Sequence, residues 1–141
     1  MESGSTQLGR LDIERTLPFA PALVPDVLGQ LWRATAASPL RWTLGDRGTA
    51  GIDLPFVPAN GTRGPARWKS NARLWTSAGS EPVVVVISLR GRGDDAVDLT
   101  LRLADGQRER TEDMDLARAL VAELAEELLW HASRQPATPA R

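Results

Sequence analysis

Cysteine is absent from this chain of 141 residues, which removes thiolate nucleophiles, disulfides and cysteine metal sites together and is compatible with a reducing compartment. Histidine occurs once, as His131. Any histidine-based triad or metal set would have to use it, and no second histidine or carboxylate cluster with loop-ligand spacing stands ready to complete one. No metal and no cofactor are expected. No apolar run approaches the roughly 18 residues of a membrane span. The opening MESGSTQLGRLDIER has no basic segment followed by an apolar one, so no signal peptide is expected and the expected location is cytoplasmic. Charge of one sign is lacking as well: 17 basic residues face 18 acidic ones, a balance that gives no global pull toward nucleic acid or an anionic membrane.

What is present is one long helical pattern. Across Asp113–Ser133, Ala117, Leu120, Val121, Leu124, Ala125, Leu128, Leu129 and Ala132 recur at the spacing that lays an apolar stripe along one helix face. Burying the larger of these side chains supplies on the order of 10 kcal/mol as an upper bound, so the helix must lie against something. The chain is long enough for one domain that buries roughly two-thirds of its unfolded surface without staples. The expected organisation is a disordered start over 1–7, a single α+β domain over 8–133 and a disordered tail over 134–141.

Ahead of that helix the period changes to two. Leu11, Ile13 and Leu17 share one parity with Asp12, Glu14 and Thr16 on the other, which predicts a half-buried strand ended by Pro18 and Pro21. Pro25 suits the start of a short helix that carries Val24, Val27, Leu28 and Leu31 and runs to about Ala37, although Gly29 weakens it. Short extended stretches follow at Leu40–Leu44 and Ala66–Thr76. Pro82–Leu89 has β-branched residues on both parities and is expected to be central in a sheet. A hairpin signal at Arg90–Asp95 leads to the alternating Val97, Leu99, Leu101 and Leu103. Between them, residues 45–65 read as a long loop, of the kind that serves as a lid or binding loop; its Ile52, Leu54, Phe56 and Val57 point to a short edge strand or a flap over a cavity.

This order, a strand, a helix, four or five antiparallel strands and a C-terminal helix of about 20 residues, resembles the helix-grip fold of the START and polyketide-cyclase superfamily. The resemblance runs over Leu8–Ser133 and rests on element order, not on a motif. It differs in having one clear helix where that family usually has two, and fewer strands than its run of six. It implies a curved antiparallel sheet wrapped around the C-terminal helix, holding an apolar small molecule or lipid-like ligand. The lining would be Trp42, Trp68, Leu74, Val85, Ile87, Leu99 and Leu101 from the sheet, with Leu120, Leu124 and Leu128 opposite. A solidly packed core would use the same residues, and smaller α+β modules, dimeric chaperone-like folds among them, share the outline.

The remaining candidates point away from catalysis. His131 and Glu127 can pair at i, i+4, with capping or packing as the plainer role. Glu123, Glu126 and Glu127 form a solvated helix face. Gly45–Gly51 lacks the Gly-Lys-Ser/Thr ending of a phosphate loop. Arg67, Lys69 and Arg73 with Trp75 make a basic-aromatic row on one strand face, which the neutral net charge does not reinforce, so nucleic acid is not an expected partner. Trp130 falls opposite the leucine stripe and is the candidate for an oligomer or partner interface. The expectation is non-catalytic binding of an apolar ligand; the alternative is an interaction or structural module, homo-oligomeric and solid in its core, and third comes an enzyme of cyclase or hydrolase type, which would need polar groups such as His131 or Arg15 pointing inward.

Overall fold

The computed structural model describes residues 11–35, 40–52, 56–58, 66–76, 81–104, 106 and 111–134. The expectations for 1–7 and for the tail after Arg134 lie outside the described residues, as do Leu54 and the expected end of the first helix near Ala37. The elements run β1 (Asp12–Leu17), a 3-10 turn (Pro21–Leu23), α1 (Val24–Thr35), β2 (Leu40–Thr43), β3 (Gly48–Ile52), β4 (Val57–Pro58), β5 (Arg67–Thr76), β6 (Val83–Arg92), β7 (Ala96–Leu103) and α2 (Thr111–Ser133). All the pairings are antiparallel, in the order β1-β7-β6-β5-β3-β2, and β4 shares an edge of β5 with β3. The result is a curved open sheet with α2 lying against it, the expected α+β class.

Alternation decides which way this sheet faces. In register, Ile13 opposes Leu101, Leu101 opposes Ile87, Leu99 opposes Leu89, and Val85 opposes Ala72. Because side chains alternate across a strand, these residues form one apolar sheet face, and all but Ile13 are buried. The α2 stripe of Leu116, Ala117, Leu120, Val121, Leu124, Ala125 and Leu128 is buried too. The helix packs on β1, β3, β5 and β7 and against α1. The first helix therefore covers α2 instead of extending the sheet, through Val24, Val27, Leu28 and Leu31.

Two expectations are corrected. The stretch 45–65 is not one long loop, since its described part holds β3, an internal strand, and the two residues of β4. Gly48, Thr49 and Gly51 have too little apolar bulk to produce an alternating signal, yet β5 offers them a full row of backbone partners from Gly48↔Thr76 to Ile52↔Ala72. Backbone pairing, not side-chain pattern, makes this strand. The Gly45–Gly51 segment is a β2–β3 hairpin in which Leu44 donates its N–H to Gly48 O at 2.8 Å and Gly45 takes φ 64°. Likewise β6 does not stop at Leu89 but continues through Arg92, so Arg90 is a strand residue, placed opposite Asp98 on one side and Arg67 on the other.

Packing fixes the close approaches. Gly91 sits beneath the 3-10 turn, where an added Cβ would lie 3.1 Å from Pro21 Cγ. Its N–H donates to Ala66 O at 2.9 Å. This ties the start of the first helical segment to the end of the β5–β6 ladder.

Candidate functional site

The expected ligand-lining residues do meet. Leu74, Val85, Leu99, Leu101, Leu120, Leu124 and Leu128 are 0% exposed and Ile87 1%, all in one apolar cluster between the sheet and α2. Trp42 and Trp68 are half-buried at its margin and pack against it. Trp42 lies opposite Ala50 and Trp68 opposite Leu89, so both tryptophans take the inner parity of the sheet. Ser70 is a buried polar group on the same face, opposite Ile87.

His131 extends the buried stripe at the C-terminal end of α2, at 4% exposure. Its Nε2 lies 3.8 Å from Glu127 Oε1, and its ring meets the Trp130 ring edge-on at 4.9 Å. That is a packed helix-end histidine with a carboxylate one turn away. Arg15 lies opposite Leu99 on the inner parity of the edge strand β1, yet it is exposed. The described residues contain no group of three His, Asp or Glu able to hold a metal ion.

Trp130 is 54% exposed, on the side of α2 its helical position predicts. The Arg134 guanidinium stacks on it at 4.5 Å. With Glu126, Glu127, Leu129 and His131 it borders an open depression of about 710 Å³.

A second recess, of about 370 Å³, lies on the outer face of the sheet and is polar. It gathers Glu14 from β1, Asp98, Thr100 and Arg102 from β7, Ser88 and Arg90 from β6, and Arg67 and Lys69 from β5. The register explains the gathering: Glu14 opposes Thr100, Thr100 opposes Ser88 and Ser88 opposes Lys69, while Asp98 opposes Arg90 and Arg90 opposes Arg67. Asp98 accepts hydrogen bonds from Thr16 Oγ1 at 2.8 Å and from Arg92 Nε at 3.0 Å. Burial pushes its carboxyl up, but the bonds from Thr16 and Arg92 outweigh that and hold it below the usual carboxylate value. Arg102 Nε donates to Asp12 at 3.3 Å. Sequence reading found Arg67, Lys69 and Arg73 on one strand face but missed Arg90, Ser88 and Thr100, which only the strand pairing brings beside them. Trp75 is on that outer face too, with Arg41 stacked over its ring at 5.5 Å.

Among the described residues no helix is long and apolar enough to cross a membrane. No protein-family model matches the chain, and no curated protein is similar to it at a significant level. Among solved structures it is similar to the crystal structure of the Mll3558 protein from Rhizobium loti, with a TM-score of 0.42 and 19% identity over 82% of this chain and 94% of that one. The fold assignment rests on the topology itself: an antiparallel sheet with a C-terminal helix, compatible with a helix-grip fold.

Proposed function

We propose that this protein binds an apolar small molecule or lipid-like ligand between the inner sheet face and α2, without catalysis, as a helix-grip protein of the START and polyketide-cyclase kind. One observation supports this best. The apolar residues of β5, β6 and β7 and the leucine stripe of α2 face one another across a single layer, and Trp42 and Trp68 stand half-buried at its margin. An apolar guest in that layer would be taken up by the hydrophobic effect, at about 25 cal/mol per Å² of surface removed from water, and a rim of aromatic rings suits its entry.

Native mass spectrometry of the protein purified from its own host tests this reading. The expected result is an added mass of ligand size that is lost on denaturation. A clean chain mass, together with no uptake of a polarity-sensitive apolar dye, would overturn it. The exposed Trp130 beside Leu129 favours a second reading, a homodimer or other protein-interaction module. A clean oligomeric mass without adduct is the result that reading expects.

A further inference from the structure

The outer recess carries an inference independent of the apolar layer. Arg67 and Arg90 are directly opposed in the β5–β6 ladder, and the next outward-facing pair is Lys69 and Ser88. Strand spacing and the two-residue repeat place these side chains at the corners of a patch of about 5 by 7 Å. Like charges placed directly opposite destabilise a sheet, so three cations at four corners need an anion. The neighbouring acid supplies only part of it, through the attraction between Asp98 and the facing Arg90. Asp98 follows Arg90 in the row, but its oxygens already accept from Arg92 and Thr16. Arg102, by contrast, has its own carboxylate in Asp12. Among the described residues no ion pair is formed by Arg67, Lys69 or Arg90.

We propose that this recess binds a small phosphomonoester, its phosphoryl oxygens held by Arg67, Lys69 and Arg90 and by the hydroxyl of Ser88. A phosphomonoester carries nearly two negative charges near neutral pH and has three strong acceptor oxygens, which matches three cationic donors and a hydroxyl better than a single carboxylate does. Arginine forks bind such oxygens in pairs. The far end of the recess selects the rest of the molecule. Glu14 is there with Thr100, so the remainder of the ligand carries hydroxyl or amino donors, and a second phosphate there would be repelled. That acidic end also disfavours a nucleic-acid backbone running across the strands.

The test is amide-resolved NMR of the full chain titrated with inorganic phosphate, against sodium chloride at matched ionic strength. The proposal expects saturable shifts centred on Arg67, Lys69, Ser88 and Arg90 that chloride does not reproduce. Arg90→Gln and Lys69→Gln, each checked as folded from its own spectrum, should each weaken phosphate binding roughly tenfold. Shifts equal to those of chloride, or wild-type affinity in both variants, would overturn it. A single-stranded oligonucleotide that binds more tightly than phosphate, with affinity that rises with length and falls steeply with salt, would overturn the small-ligand identity and assign the face to nucleic acid.

Discussion

Arg92 reaches back across the β6–β7 hairpin to Asp98, its Nε 3.0 Å from one carboxylate oxygen and 3.1 Å from the other. The guanidinium is largely in solvent while the carboxylate is 9% exposed, so the pair closes the mouth of a hairpin and covers a buried charge. Asp98 has its carboxyl held below the ordinary value by Thr16 and Arg92 against the opposing effect of burial. A carboxyl depressed in the folded state adds stability that is fully present above its unfolded value, about 3.9, and lost as pH falls through the folded value. Urea denaturation of Asp98→Asn should show a loss of about 1–2 kcal/mol near neutral pH and a difference from wild type that narrows on acidification below about pH 4. A difference that stays constant with pH would mean that the charge of Asp98 contributes nothing.

Gly48 opens β3 at φ 147°, and a Cβ there would collide with the backbone carbonyl of Trp75 on β5. Gly45, one turn earlier at φ 64°, has open space around it. At Gly45 a side chain would meet conformational strain alone, and at Gly48 strain and collision together. Gly45→Ala should cost only the left-handed backbone penalty, about 1 kcal/mol. Gly48→Ala should cost more than about 3 kcal/mol, because β3 must leave β5 to make room. Thermal melts of the two variants side by side check this, and equal losses would show that β3 is free to shift.

These two glycines also mark where reading the sequence stops working. β1, β5, β7 and α2 are legible because Leu99 and Leu101, or Leu120 and Leu124, repeat at the period of their element and are buried for that reason. β3 has no such period. Its Gly48, Thr49 and Gly51 are small enough to lie against β5, and the strand exists through the hydrogen bonds of its partner. The same limit hid half of the outer recess. Lys69 and Arg67 stand out on one strand, but Arg90 reads as the first residue of a turn until the β5–β6 register sets it opposite Arg67. Local patterns show faces, whereas the meeting of faces from different strands depends on register. Leu74, Leu99, Leu101, Leu120, Leu124 and Leu128 fall together in one buried core because each follows the period of its own element.

Position on α2 separates a packing role from a surface role for residues only a few places apart. Leu124 is fully buried, and Trp130 is 54% exposed with Arg134 stacked on its ring. Leu124→Ala should lower stability by about 2–5 kcal/mol through the transfer and cavity terms together. Trp130→Ala should cost less than about 1 kcal/mol, the scale of an exposed cation–π contact. Denaturant midpoints measure that contrast, and sedimentation adds the functional half. If the Trp130 face joins two copies of this chain, Trp130→Ala keeps its midpoint at low protein concentration but sediments as a smaller species than wild type. A variant that sediments at the wild-type mass removes Trp130 from any self-association.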